Sequence, residues 1–199
     1  MLTPDPLPRK SGVHKIDIFV GACALLVSVV SLFIAYRSNQ VQDRMLEATI
    51  WPYLFWDSSN SDEQRHVDQV SLGFKNMGVG PAKIESLQLR YKGQALAGYK
   101  DLVQACCKAE TAPLKQWSLQ VAEINPSVIP AHDEIRFFAI DKTEQNAALW
   151  DKLERERYNL VAQVCYCSVL EDCWLLDSSR HTPDKVGKCP APPGVQYTN

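Results

Sequence analysis

The strongest pattern in the chain is an uninterrupted apolar stretch from Ile18 to Tyr36, which contains 19 residues and no charged side chain. As a helix that rises about 1.5 Å per residue, it would span roughly 28 Å, close to the thickness of the bilayer's hydrocarbon core. Core helices of globular proteins are usually amphipathic, and the apolar part of a cleaved signal peptide is usually shorter. The pattern therefore predicts an uncleaved transmembrane helix over 16–37 rather than either alternative.

Small residues recur along this stretch at alternating spacings of three and four. They are Gly21, Ala24, Ser28, Ser31, Ala35 and, just beyond the apolar stretch, Ser38. This is the a/d spacing of a coiled coil, so all six lie on one face of a helix. Small residues allow helices to approach closely in lipid, where apolar burial does not drive association. The face predicts packing against a second copy or a partner membrane protein, although small residues are also common in transmembrane helices without such a role.

The segments on either side of the apolar stretch differ in character. Residues 1–15 contain prolines without a periodic pattern, which predicts a flexible tail. Residues 38–49 are rich in helix formers and are predicted to continue the helix as a short stalk. The folded domain is predicted over 50–178, and the proline-rich, polar stretch 179–199 is predicted to be a C-terminal tail.

Short stretches of alternating apolar and polar residues, separated by Gly, Pro and Asn turns, fill 50–178. A one-residue slip in this alternation at Ser86 is typical of a β-bulge. The polar segment 57–68 is predicted to be a loop, and Thr143 is predicted to cap a helix. The predicted strands are 51–56, 69–75, 82–91, 116–121, 134–140, 158–169 and 173–176, and the predicted helices are 96–107 and 143–157. This order predicts a mainly β fold, an immunoglobulin-like β-sandwich with one or two inserted short helices.

Six of the seven cysteines lie outside the apolar stretch, at Cys106, Cys107, Cys165, Cys167, Cys173 and Cys189. An even number at this density is typical of an oxidising compartment and predicts structural disulfides. Cys165 and Cys167 share one face of a strand, and Cys173 lies across a hairpin within reach of one of them. The adjacent Cys106 and Cys107 are each expected to find a distant partner.

Two other uses of these cysteines stay open. A zinc site would use them as thiolates, although Cys-x-Cys departs from the usual ligand spacing of Cys-x₂₋₄-Cys. A redox-active pair is also an alternative, although the chain has no Cys-x-x-Cys.

The distribution of positive charge around the apolar stretch gives an orientation. Arg9, Lys10 and Lys15 precede it, and only Arg37 and Arg44 follow it closely. By the positive-inside rule this distribution favours, by a narrow margin, a cytoplasmic N-terminus and an exported C-terminal domain. The cysteine content points the same way. Together they predict a single-pass protein of a bacterial inner membrane with a periplasmic domain.

Charge and motifs exclude several functions. The net charge of −2 provides no basic surface for nucleic acid. The sequence contains no Gly-rich phosphate loop, no His-Glu-x-x-His and no Gly-x-Ser-x-Gly. The four histidines are dispersed in polar surroundings, at His14, His66, His132 and His181. We therefore predict no catalytic residue, no metal and no cofactor, and a protein that is not an enzyme.

Two segments carry a resemblance to a known group of proteins. Ala48-Thr49-Ile50-Trp51-Pro52-Tyr53-Leu54 leads into the first strand, and Asn76-Met77-Gly78-Val79-Gly80-Pro81-Ala82 lies between two strands. Together they resemble uncharacterised bacterial single-pass membrane proteins with an A-x-x-W-P-Y entry and an N-x-G-x-G-P-A hairpin. Residues 128–133 are similar to a turn of bacterial immunoglobulin-like sandwiches, with Ala131 and His132 in place of its glycine. The resemblance covers roughly residues 16–140 and implies an inner-membrane protein. It implies no particular activity, because the proteins of that group have no known activity.

These observations favour a non-enzymatic, membrane-anchored module that binds another envelope protein or assembles with itself. One alternative is a cysteine-dependent redox or metal-binding protein, which predicts at least one free, reactive cysteine. Another is a cytoplasmic-facing effector, which predicts a domain that works with its cysteines reduced or bound to metal.

Overall fold

The computed structural model describes residues 13–108, 118–180, 182–191 and 194–198. It divides into two compact units, 1–46 and 47–199. The predictions for the N-terminal tail up to residue 12, for Trp117 and for His181 lie outside the described residues.

The first unit is dominated by one helix, α1 (Val13–Thr49), which is 37 residues long. Its side chains are exposed from Lys15 to Thr49. By length and composition it could cross a membrane, and it is the one helix among the described residues that could do so. A solvent-exposed apolar surface of this extent is unusual for a soluble protein, which agrees with the predicted anchor.

The second unit contains ten strands and two short helices in its described residues. The strands are β1 (Leu54–Asp62), β2 (Val67–Asn76), β3 (Ala82–Tyr91), β4 (Gln94–Leu96), β5 (Leu119–Val121), β6 (Ser127–Ile129), β7 (Glu134–Asp141), β8 (Leu160–Cys167), β9 (Cys173–Asp177) and β10 (Asp184–Val186). The helices are α2 (Tyr99–Cys107) and α3 (Ala147–Glu156), and a 3-10 turn (Arg157–Asn159) follows α3.

The strands form two antiparallel sheets around one hydrophobic core. One sheet has the order β1-β2-β7-β5, and the other has the order β10-β9-β8-β3-β4, with β6 also paired to β3. Side chains from both sheets and from α2 and α3 share a single buried cluster. The predicted mainly β fold with short inserted helices is therefore confirmed at this level, with more strands than the six or seven that the pattern predicted.

The apolar alternation predicted in β2 and β3 is present, and the pairing of each strand with a neighbour contains a bulge. In β2, Val70, Leu72 and Phe74 are all buried in the core. Its pairing with β7 shifts register at Leu72/Gly73, so that the bulge residue Phe137 and its neighbour Phe138 are both buried. The slip predicted at Ser86 is confirmed, because the β3–β8 register shifts between Ile84 and Ser86.

The turn between β2 and β3 folds back on the segment that leads into β1. The backbone N–H of Met77 donates to the carbonyl of Tyr53 at 2.7 Å, and that of Val79 donates to the carbonyl of Trp51 at 3.0 Å. Asn76, which is completely buried, joins the two segments through its side chain. The two sequence segments that carry the resemblance are thus in direct contact.

The polar stretch after Trp56 was wrongly predicted to be a loop. β1 continues through it to Asp62, and it begins at Leu54 rather than at Trp51. Within the described part of the chain, β1 lies at the edge of its sheet and pairs only with β2. An edge strand is held by backbone hydrogen bonds to one neighbour and can carry polar side chains, so apolar alternation does not reveal it.

Two further predictions need correction. α3 begins at Ala147 with Asn146 at the N-cap position, not at Thr143. The side chain of Asn146 instead accepts a hydrogen bond from the Thr143 backbone at 2.8 Å. The segment 179–199, expected to be a tail, contributes β10, the disulfide-bonded Cys189 and the buried Tyr197 to the domain.

Candidate functional site

The cysteines of β8 lie on the outer face of their sheet. Tyr166, between them, is completely buried in the core, where its hydroxyl accepts a hydrogen bond from the backbone N–H of Leu54. Side chains alternate along a strand, so Cys165 and Cys167 point away from that core. They are nevertheless almost inaccessible, with 1% and 6% of their surfaces exposed. The sequence correctly predicted that these two side chains share a face.

A tight turn brings Cys173 opposite Cys167. The two residues are directly paired between β8 and β9. The turn is closed by a hydrogen bond of 2.7 Å from the backbone N–H of Ser168 to the carbonyl of Asp172, with Glu171 in the left-handed region at φ 65°. Cys167 and Cys173 form a disulfide, which confirms that Cys173 reaches across the hairpin.

The C-terminal segment supplies the fourth cysteine of this cluster. β10 pairs with β9, and the chain then brings Cys189 back to β8. Cys189 forms a disulfide with Cys165, 24 residues earlier in the chain. The Sγ atoms of Cys167 and Cys189, which belong to different disulfides, lie 3.7 Å apart. Two disulfides are therefore in contact with each other on the outer face of the sheet.

β3 brings charged residues to the same place. Lys83 pairs directly with Cys167 in the β3–β8 register, which puts both side chains on one face. Its ammonium group forms an ion pair of 2.8 Å with Glu85, the residue at the bulge. The hydrogen bond that this carboxylate accepts from Lys83 raises the pKa of Lys83. Sequence analysis missed both residues because only the pairing of distant strands places them beside the cysteines.

A surface cavity of about 670 Å³ opens beside the two disulfides. Cys167, Cys173 and Cys189 contribute to its wall. The charged side chains that line it are those of Lys83, Glu85, Glu171 and Lys188. Among the described residues, two positive and two negative groups balance, so this lining gives no strong preference for the sign of a ligand's charge.

The prediction for the remaining two cysteines was wrong. Cys106 and Cys107 form a disulfide with each other, at the end of α2, instead of finding distant partners. The expectation assumed that neighbouring side chains point apart, as they do in regular structure. Here the two residues are the last of α2, and Lys108 directly after them ends the helix with a left-handed φ of 52°. The other four cysteines of the domain pair among themselves, so no distant partner is left.

The same cluster bears on the zinc alternative. The Sγ atoms of Cys167, Cys173 and Cys189 all lie within 4.8 Å of one another, close enough to share a metal ion. Zinc binds thiolates, whereas each of these sulfurs is already bonded to another sulfur. In this state of the domain, the three sulfurs are a disulfide cluster and offer no thiolate ligand.

The predicted small-residue face lies on α1. Gly21, Ala24, Ser28, Ser31, Ala35 and Ser38 are all helical and exposed. The hydroxyl of Ser28 donates to the carbonyl of Ala24 at 2.8 Å, so it is satisfied within the helix. Cys23 is the one free cysteine among the described residues, and it is exposed on α1.

Comparison with known proteins gives no relative for this chain. No protein-family model, no curated protein and no solved structure matches it. The resemblance of the two N-terminal segments therefore stays a prediction, and the function has to be argued from the geometry of this chain.

Proposed function

We propose that this protein is a non-enzymatic binding or assembly module of a bacterial envelope, anchored by α1 and paired with a second copy of itself through that helix. The observation that carries the proposal is the small-residue face of α1, the six residues from Gly21 to Ser38 at heptad spacing on one exposed helix. Helices in lipid associate where small side chains let their backbones approach. A second copy presents the same face and is its simplest complement.

The domain after α1 supports a role in binding rather than catalysis. Three disulfides and a single two-sheet core make it a cross-linked, durable structure. We propose that it is an immunoglobulin-like sandwich, an architecture that many cell-surface binding domains share. Its loops and exposed strand edges would then serve as contact surfaces for other envelope proteins.

The proposal includes an orientation, with the N-terminus in the cytoplasm and the domain in the periplasm. The disulfides indicate an oxidising compartment, because cytosolic thiols are kept reduced. The charges flanking α1 favour the same orientation. A direct test is non-reducing mass spectrometry of protein taken from membranes whose free thiols are blocked at lysis. We expect all six domain cysteines to be bridged, and six alkylated cysteines would place the domain in the cytoplasm instead.

Pairing of the helix is tested by cysteine cross-linking in native membranes. In a Cys23→Ser background, Ser28→Cys and Ser31→Cys place a single reporter thiol of α1 on the small-residue face. Helical periodicity puts Leu26 and Phe33 on the opposite side, so Leu26→Cys and Phe33→Cys are matched controls. We expect mild oxidation to give a band of twice the 22.4 kDa monomer mass for the first two variants and little for the controls.

Three outcomes of this cross-linking are distinguishable. Preferential cross-linking at Ser28 and Ser31 supports a homodimer with this face at its centre. Equal cross-linking at all four positions, or none, contradicts the proposed pairing. A cross-linked band of another mass at Ser28 and Ser31 replaces the second copy with a different membrane protein.

A further inference from the structure

We propose that the disulfides Cys165–Cys189 and Cys167–Cys173 together form a thiol–disulfide exchange site, which takes a thiol substrate from the cavity beside them. This takes up the redox alternative in place of the purely non-enzymatic role proposed above, and it does not depend on membrane-anchored binding. Two independent observations carry the inference: sulfurs of the two bridges are in contact, and three of the four cysteines line a cavity open to solvent.

The contact between the bridges supplies the geometry for exchange. A disulfide is exchanged when a thiolate attacks one of its sulfurs and the other sulfur leaves. The Sγ atom of Cys167 lies 3.7 Å from the Sγ atom of Cys189. If the bond to Cys173 opens, the thiolate of Cys167 is therefore already beside a disulfide sulfur. No movement of the sheet is needed to bring the reacting atoms together.

The reaction begins with the thiolate of an external dithiol, the substrate class that we propose. Its sulfur attacks Sγ of Cys173, the Cys167–Cys173 bond breaks, and Cys167 leaves as a thiolate. This thiolate attacks Sγ of Cys189, so that a Cys167–Cys189 bond forms and Cys165 leaves as a thiolate that takes up a proton. The second thiol of the substrate then attacks the first substrate sulfur, which is bonded to Cys173 in the mixed disulfide. The substrate disulfide forms, and Cys173 leaves as a thiolate that takes up a proton.

The atoms and electrons of these reaction steps balance. The substrate dithiol loses two electrons and two protons and becomes a disulfide. The domain gains them as the thiols of Cys165 and Cys173, and it keeps one bridge, the rearranged Cys167–Cys189. The process therefore leaves a characteristic product, because simple reduction of one bridge would leave the original Cys165–Cys189 bond in place.

The surroundings of the cluster fit an exchange site. Cys189 is partly exposed, and Cys167 and Cys173, although largely buried, both contribute to the cavity wall. Lys83 and Lys188 line the same cavity, and nearby ammonium groups favour thiolates over thiols. Glu85 and Glu171 offset these charges. We therefore expect the site to select substrates by whether their thiol can reach the disulfides in the cavity, and not by their net charge.

The decisive variant is Cys173→Ser, combined with Cys23→Ser to remove the thiol of α1. It leaves Cys167 as a free thiol beside the Cys165–Cys189 bridge, so exchange needs no added reductant. We expect the full-length protein in detergent to convert part of its Cys165–Cys189 bridge to Cys167–Cys189, with Cys165 becoming available to alkylation. The rate should rise with pH, because the thiolate is the form that attacks.

The products can be told apart by peptide mapping after acid quenching and alkylation. Tyr166 separates Cys165 from Cys167, so chymotryptic cleavage there assigns each cysteine to its own peptide. Cys106→Ser with Cys23→Ser is the matched control, since it also leaves one free thiol, Cys107, in the domain. We expect that control to keep Cys165–Cys189 intact.

A second measurement keeps the proposal testable if Cys173→Ser does not fold. Wild-type protein treated with one equivalent of dithiothreitol should yield the Cys167–Cys189 bridge together with alkylated Cys165 and Cys173. The proposal is overturned if no Cys167–Cys189 bridge forms, so that the whole of the original Cys165–Cys189 bridge persists and Cys167 alone is alkylated, in the variant or in the reduced wild type. It is also overturned if the Cys106→Ser control rearranges to the same extent, because exchange would then not be local.

Discussion

The backbone N–H of Tyr53 donates a hydrogen bond of 3.2 Å to Oδ1 of Asn76, although 23 residues separate them in the chain. The same Oδ1 atom accepts from the backbone N–H of Gly78 at 3.0 Å, and Nδ2 of Asn76 donates to the carbonyl of Gly80 at 2.8 Å. Nδ2 also lies 3.1 Å from the carbonyl of Ile129. One buried amide thus joins the entry to β1, the β2–β3 turn and β6.

We therefore expect Asn76→Ala to be among the most destabilising single substitutions in the domain. It leaves several buried backbone groups without a partner, which lowers the free energy of unfolding by about 2–4 kcal/mol. Urea unfolding of the full chain in detergent measures this, and all five tryptophans lie after α1 to report on the domain. Asn60→Ala is the control, because Asn60 is exposed, and an equally small effect of both substitutions would contradict the role of Asn76.

The glycines of the β2–β3 turn are predicted to be required for close approach of two backbones. A Cβ atom on Gly80 would collide with the carbonyl oxygen of Ile50, and one on Gly78 would collide with the carbonyl oxygen of Trp51 and the backbone nitrogen of Tyr53. We expect Gly80→Ala to lower stability by about 1–3 kcal/mol through overpacking. Gly187→Ala is the matched control, since a Cβ there meets nothing within 4 Å.

The hairpin of β1 and β2 carries an ionic network that predicts a specific response to acid. The guanidinium of Arg65 donates to Oδ2 of Asp62 at 2.9 Å, and this hydrogen bond lowers the pKa of Asp62 to about 2. A carboxylate with a lowered pKa in the folded state stabilises the fold above its unfolded pKa of about 3.9. That contribution is lost as the pH falls from about 4 towards 2.

We therefore expect Asp62→Asn to be less stable than the wild type at pH 7, and to lose less stability between pH 4 and pH 2. Urea midpoints measured across this range give the comparison. Asp184→Asn removes a carboxylate that is 66% exposed and should leave the wild-type pH dependence unchanged. Parallel acid profiles for Asp62→Asn and the wild type would contradict the assignment.

The sequence predicts the parts of this molecule that are encoded locally. The length of the apolar run identifies α1, and alternation at Val70, Leu72 and Phe74 identifies β2, because each pattern lies within its own element. Cys165 and Cys167 are placed on one face by the same rule. These predictions need no knowledge of which strand pairs with which.

The features that sequence analysis missed depend on pairing between distant segments. Lys83 lies beside Cys167 only because β3 pairs with β8 in one register, with a bulge at Glu85 that shifts it. The cavity and the contact between Cys167 and Cys189 depend in addition on the path of the C-terminal segment. That segment has a low apolar content, so its sequence predicts a tail. A disulfide and one buried tyrosine attach it to the domain, and neither produces a periodic apolar pattern.

Tyr197 provides the last prediction and tests the place of the C-terminal segment. Its ring is completely buried and meets Phe137 edge-on, with ring centroids 5.1 Å apart. Its backbone N–H donates to the carbonyl of Leu87 at 2.9 Å. We expect Tyr197→Ala to lower the free energy of unfolding by about 3–5 kcal/mol, the usual loss for a large buried aromatic side chain. A loss well under 1 kcal/mol would mean that the segment is a tail after all.

The matched substitution is Tyr197→Phe, which keeps the ring and removes the hydroxyl. Among the described residues, that buried hydroxyl has no hydrogen-bond partner. Burial also raises the pKa of Tyr197, so the group stays neutral at physiological pH. Burying an unpaired hydroxyl costs about 1–3 kcal/mol, so its removal should leave stability unchanged or raise it. Urea unfolding of both variants separates the contribution of the ring from that of the hydroxyl. A large loss in the free energy of unfolding for Tyr197→Phe would show that the hydroxyl has a partner in solution.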